Sequence, residues 1–180
     1  IATVSQPNYI ALTSGDTHGI DNNKPRDIKA RHIGDLLEDK GLNWAAYGDD
    51  YPGDGKPGPC FTQRDLGLYS RKHFPFVSYL NVTTNPLRCA KLFNSSYMAK
   101  HLAQGSIPEF SLFSPNMHND GHDTGVSFAA KWIERVIFPL MNTAEGKNIT
   151  WIFTFDESLG RDYHILTVAV GPGISPGSIS

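Results

Sequence analysis

The feature that most constrains this chain is an alternation of two apolar periodicities, one helical and one strand-like. Over 124–141, Val126, Ala129, Trp132, Ile133, Val136, Ile137 and Leu140 recur at helical spacing and form a wide apolar stripe. Two short apolar runs follow, Ile149 to Phe155 and His164 to Val170. They read as buried strands, the second stopped by Gly171-Pro172-Gly173. Upstream, 26–40 reads as a helix with Ile28, Ile33, Leu36 and Leu37 on one face and Gly41 as its C-cap. Leu42–Tyr47, Val77–Val82 and Phe110–Phe113 read as strands, 87–103 as a helix, and 5–26 and 48–60 as loops rich in polar residues, Gly and Pro. Strands alternating with helices predict an α/β fold, a mostly parallel sheet with helices on both faces. In such sheets the ligand site lies beyond the carboxyl ends of the strands. The cluster from Asn116 to Asp123 and the pair Asp156-Glu157 each follow a predicted strand, so both are expected at one edge of the sheet.

A chain of 180 residues is long enough for one domain, here 1–180, with a sizeable core. The net charge of -2 provides no electrostatic footprint for nucleic acid or an anionic membrane. No stretch approaches the roughly 20 apolar residues of a membrane span. Three sequons, at Asn81, Asn94 and Asn148, lean toward a secreted protein. In an oxidising compartment Cys60 and Cys89 can form a disulfide, worth about 3 kcal/mol on the loop-entropy model; the alternative is two unrelated buried thiols.

The chemistry-bearing residues fall in four places. Ser5-Gln6-Pro7-Asn8 sets a hydroxyl beside a side-chain amide, either as a surface turn or as the start of a short helix with Ser5 at its N-terminus. Arg71-Lys72-His73-Phe74-Pro75-Phe76 offers His73 either to a phosphate or to aromatic packing. In Asp120-Gly121-His122-Asp123, Gly121 allows a tight turn that aims His122 inward, and Asp123 is the expected N-cap of the next helix; His118 is expected to be exposed. Asp156-Glu157 reads as a solvated turn or as oxygen ligands for Mg²⁺, Mn²⁺ or Ca²⁺. A nucleophile with hard oxygen ligands is what metal-assisted phosphoester cleavage requires.

Taken in order, Ser5-Gln6-Pro7-Asn8-Tyr9-Ile10, Leu36 to Gly41 with Trp44, Arg71 to Phe76, Ser114-Pro115-Asn116 with Asp120 to Thr124, and Phe155-Asp156-Glu157 resemble the phosphoesterase family. That family joins fungal secreted acid phosphatases to phosphatidylcholine-type phospholipases C within the alkaline-phosphatase-like superfamily, and the subtype is similar to the acid phosphatases. The resemblance implies an alkaline-phosphatase-like fold, a small-molecule phosphate ester as substrate and a divalent metal ion as cofactor. It implies Ser5 as nucleophile and metal ligand, Asn8 steadying phosphoryl oxygens, His73 and His122 lining the pocket, and Asp156 and Glu157 as metal ligands. It also implies a phosphoserine intermediate, with phospholipase C action or a non-catalytic secreted glycoprotein as rival readings. The family's first strand, carrying an acidic residue followed by Asn, and its C-terminal end are expected to lie outside 1–180.

Overall fold

The computed structural model describes residues 3–158, 164–175 and 177. Along the chain they form α1 (Ser5–Ser14), α2 (Ile33–Glu38), β1 (Trp44–Gly48), a small ribbon of β2 (Asp65–Leu66) and β3 (Tyr69–Ser70), α3 (Leu80–Thr83), α4 (Pro86–Cys89), β4 (Leu92–Asn94), α5 (Ser96–Ala103), β5 (Phe110–Ser114), α6 (Val126–Trp132), α7 (Phe138–Met141), β6 (Trp151–Thr154) and β7 (Thr167–Val170). The central sheet has the order β4-β1-β5, all parallel, with Ala46 opposite Leu92 and Trp44 to Gly48 opposite Phe110 to Ser114.

Both faces of β1 are buried, as a parallel strand between helical layers requires. Trp44 and Ala46 face a core built with Ile10 of α1, Val82 of α3, Phe74, Phe76, Tyr79 and Leu92. Ala45 and Tyr47 face the other way, onto Met98 and Leu102 of α5, with Leu140 of α7 and Trp151 alongside. Each large side chain buried in this way stabilises the fold by about 2–3 kcal/mol. Close packing reaches the backbone: a Cβ on Gly34 would lie 2.6 Å from the Trp44 ring.

Several expectations are corrected. The start of the segment expected to be a loop over 5–26 is helical. Pro7 sits in the first turn of α1, where its missing N–H costs no intrahelical bond, and Gly15 closes the helix in the left-handed conformation at φ 78°. The helix is hard to recognise because its buried face is polar: Gln6 donates to the Asn22 and Lys24 carbonyls, and Thr13 bonds the Tyr79 hydroxyl. The helix expected over 26–40 shrinks to α2. Before it Ile28 bridges to Tyr79, and His32 then caps the helix through its own side chain. Val77–Val82 is not a strand but a 3₁₀ turn over Pro75–Ser78 followed by α3. The helix expected over 87–103 is split by β4 into α4 and α5. The long helix of 124–141 survives with a π turn over Ile133–Ile137 between α6 and α7, next to Pro139, whose ring and absent N–H disrupt regular α-helical bonding. It begins at Val126 behind Gly125 with no side-chain cap, so Asp123 is not its N-cap, and Val126 at the head of the stripe is exposed.

Among the described residues β6 and β7 pair antiparallel with each other, apart from the parallel sheet. Neither is a buried strand. Trp151 and Phe153 are half-buried while Ile152 and Thr154 are exposed, the one-sided pattern of an antiparallel strand. Cys60 and Cys89 form the disulfide, which ties the 48–60 loop to α4.

Candidate active site

α1 sets the geometry. Ser5, in its first turn, is 2% exposed, and its hydroxyl donates to Glu157 Oε1 at 3.0 Å. The first turn is fixed from outside the helix: the Gln6 N–H donates to Asn23 Oδ1, beside the two bonds made by the Gln6 amide. Tyr9, one turn beyond Ser5 and on the same face, stacks on the His73 ring at a centroid distance of 5.1 Å. The Tyr9 phenol is held well above the usual tyrosine range, first by burial and then by the charges of Asp156, Asp120 and Glu157. Those three carboxylates, from two separate stretches of chain, thus act on one phenol. The 116–123 segment and Asp156-Glu157 do not follow strands of one sheet as expected: β5 belongs to the parallel sheet and β6 to a separate antiparallel pair.

The turns after β5 bring the second group of residues. The Asp49 N–H donates to the Ser114 carbonyl, tying β1 to β5 at their carboxyl ends. Asn116 donates to Asp50 Oδ2 at 2.8 Å and accepts from the His118 and Asn119 N–H groups; Asn119 in turn donates to Asp49. This clamp holds the knuckle that carries Asp120 and His122. Gly121 turns it at φ 88°, where a Cβ would press on the Gly125 carbonyl. His73 is buried, with Nδ1 3.0 Å from Asp120 Oδ2; neither atom is aligned for a hydrogen bond. His73 Nε2 is also buried without a hydrogen-bond partner. His122 lies at the rim, its ring 5.7 Å from that of His73, its Nδ1 2.8 Å from Asp123 Oδ1 and its Nε2 3.0 Å from Lys72 Nζ. His118 is exposed. Arg71, the other cation before His73, is used internally: it bonds Asp27 and the Thr62, Arg26 and Val77 carbonyls.

This arrangement presents a buried hydroxyl facing a carboxylate acceptor, with two histidines along one side. Asn8 donates from its amide nitrogen to the Val4 carbonyl at 3.2 Å. Among the described residues no three of His, Cys, Asp and Glu group closely enough to hold a metal ion. Asp156 Oδ2 is nevertheless buried without a hydrogen-bond partner, next to the stretch that supplies Glu157. An orphaned carboxylate oxygen and a hydroxyl–carboxylate pair are hard donors, the type suited to Mg²⁺, Mn²⁺ or Ca²⁺.

Residues 1–177 match the model of the Phosphoesterase family. The chain belongs to that family. An acid phosphatase of Aspergillus fumigatus is 36% identical to it over 177 residues, covering 94% of this chain and 40% of the fungal protein. A phosphate-repressible acid phosphatase of Penicillium chrysogenum is 35% identical, covering 97% and 43%. A phosphatidylinositol-3-phosphatase of Mycobacterium tuberculosis is 30% identical, covering 97% and 56%. The chain thus spans about two fifths of the length of the fungal relatives. The parallel sheet flanked by helices agrees with the α/β phosphoesterase fold.

Three residues of this candidate site carry no signal in the sequence. Tyr9 stands four residues after Ser5, a spacing that carries meaning only once 5–14 is read as a helix. Asp120 lies inside a motif that was singled out, but its partner, His73, is 47 residues earlier, and nothing local signals the pairing. Lys72 adjoins His73 in sequence yet meets His122.

Proposed function

We propose that the protein hydrolyses phosphomonoesters as a secreted, metal-assisted acid phosphatase. The observation that carries this reading is the buried Ser5 hydroxyl hydrogen-bonded at 3.0 Å to Glu157, beside the unpartnered Asp156 carboxylate and buried His73. Its support from relatives is that several fungal proteins 32–36% identical to the chain carry the name acid phosphatase.

In this reading Ser5 Oγ attacks phosphorus as its proton passes to Glu157, and the ester P–O bond breaks in line with the new Oγ–P bond. His73, whose Nε2 has no protein partner, gives a proton to the departing alkoxide. The phosphoserine is then attacked by water. His73 takes the water proton, the Oγ–P bond breaks, and Glu157 returns the proton to Ser5. Asp156, Glu157 and Ser5 would hold a divalent cation, with water and substrate oxygens completing its shell. When bound it supplies a lowered hydroxyl pKa and neutralises charge developing on the phosphoryl group. Secretion and glycosylation belong to the same reading, supported by the Cys60–Cys89 disulfide and the three sequons.

The test is hydrolysis of a chromogenic phosphomonoester at acidic pH by the full-length protein and by Ser5→Ala. Loss of the nucleophile is expected to lower kcat by roughly a thousandfold or more. Activity retained within tenfold in Ser5→Ala would reject Ser5 as nucleophile, and faster turnover of a phosphodiester would move the reading to phospholipase C.

A further inference from the structure

At the rim of the site a carboxylate, an imidazole and an ammonium stand in a row. Asp123 Oδ1 is 2.8 Å from His122 Nδ1, and His122 Nε2 is 3.0 Å from Lys72 Nζ. An ammonium has three donors and no acceptor, so Nε2 must offer its lone pair to it. The proton of the neutral ring is then on Nδ1, where Asp123 accepts it. The row therefore admits a single tautomer, the one with the proton on Nδ1, whereas a free imidazole favours Nε2.

Position adds the second part. Lys72 is half-buried on the 3₁₀ turn Arg71–His73, one residue before His73. The His73 ring stacks on Tyr9, on the helix face that carries Ser5. Among the described residues, the charged and titratable groups at this rim are Lys72, Asp123, Asp120 and His73, with His118 acting on Asp123. Lys72 and Asp123 bond it, Asp120 accepts its backbone N–H at 2.7 Å, and His73 faces it. Arg71 is tied up internally, which leaves Lys72 as the cation of its motif that meets His122.

We propose that His122 is an anchor for Lys72: held by Asp123 as a neutral acceptor, it fixes the Lys72 ammonium at the rim, where the two N–H donors it does not use take the oxygens of a phosphate group. Lys72 is then a specificity-determining residue for the phosphate end of the substrate, and His122 positions it instead of donating a proton. The tautomer stands on geometry alone; that the phosphate belongs to a substrate rests on the phosphatase reading.

The experiment uses full-length protein labelled with ¹⁵N-histidine at pH 7.5, with His122 assigned by the loss of its signals in His122→Gln. Long-range ¹H–¹⁵N correlations are expected to show His122 protonated on Nδ1 alone, and Lys72→Met is expected to shift population toward Nε2. A wild-type His122 carrying its proton on Nε2 would overturn the anchor. Titration with inorganic phosphate is expected to show binding weakened on the order of tenfold in Lys72→Met and largely restored in Lys72→Arg. Equal affinity in wild type and Lys72→Met, or no phosphate binding by wild type, would overturn the role of Lys72. In turnover of a phosphomonoester at the same pH 7.5 the same variant is expected to raise KM about tenfold with kcat within about threefold; a fall in kcat at unchanged KM would refute it. If tautomer and phosphate binding are as described but no ester is hydrolysed, the phosphatase reading fails while the Lys72 anchor stands.

Discussion

His32 makes the fold itself pH-sensitive, and the size of the effect follows from its surroundings. The ring is 1% exposed and packs against Trp44, Phe76 and Tyr79. Burial lowers its pKa from 6.5 to about 4, with Asp35 opposing that shift and Arg88 adding to it. A second cost is built into the cap of α2: Nδ1 accepts the Gly34 N–H at 3.0 Å, and an imidazolium has no lone pair there. The native pKa lies below the unfolded one, so above pH 6.5 both states are neutral and His32 adds no pH dependence. As pH falls from 6.5 toward 4 the unfolded chain binds a proton that the folded chain refuses, and stability is lost over that window. The drop from 6.5 to about 4 corresponds to about 3 kcal/mol in total, lost at up to about 1.4 kcal/mol per pH unit. In His32→Asn the cap is kept by a side chain well suited to it and the titration is removed, at the cost of a packing defect that does not depend on pH. Urea unfolding of both proteins from pH 7.5 to 4 is the assay. The wild type should start more stable, and its advantage should shrink by about 3 kcal/mol between pH 7 and pH 4. Parallel stability curves would refute the reasoning, since they would mean that His32 protonates equally in folded and unfolded chains. Asp35 and Glu38 act on both proteins alike. Burial raises the pKa of each, but hydrogen bonds from His32 and Arg88 to Asp35, and from Arg88 and Trp44 to Glu38, outweigh it and leave both lowered, so the stability they contribute starts to fall near the acid end of the window; both groups are present in His32→Asn, and most of their share cancels in the difference.

Three further outcomes are expected. Replacing Cys60 and Cys89 together by Ala should lower unfolding free energy by about 3 kcal/mol, read by denaturant titration under oxidising conditions. Peptide mass mapping of protein expressed through a eukaryotic secretory pathway should find glycan at Asn148 before Asn81: Asn148 is exposed and its amide nitrogen makes one long bond, 3.3 Å to the Ala144 carbonyl, whereas the Asn81 amide nitrogen donates to both oxygens of Asp35, at 2.9 and 3.0 Å. Dialysis against a chelator should abolish phosphatase activity and added Mg²⁺ or Mn²⁺ should restore it; full activity after exhaustive chelation would remove the cation from the mechanism.

The strands were legible where physics is local. β1 and β5 are short apolar runs between turn residues, and they lie within a residue or two of where they were expected. The helical segments were less legible because tertiary partners override periodicity. α1 buries Gln6, Asn8 and Thr13, polar residues whose partners lie elsewhere in the chain or on its own backbone. The site divides along the same line. The Ser5–Glu157 contact could be anticipated from residue chemistry and resemblance, whereas the His73–Asp120 proximity and the Lys72–His122 bond join residues separated by 47 and 50 positions with no sequence mark to link them. Asn8 was expected to serve phosphoryl oxygens, and one bond of its amide nitrogen goes to the Val4 carbonyl.

The bonds that Gln6 makes to 22–24 give that polar stretch a reach its position does not suggest. The residue next to the candidate nucleophile is moored to three consecutive loop residues, two through their carbonyls and one through the Asn23 side chain. Substitutions there that leave the core untouched would be felt as a displaced hydroxyl, and so as altered turnover in a protein whose melting temperature barely moves. For this chain, a loop some sixteen residues downstream is part of what fixes the Ser5 hydroxyl.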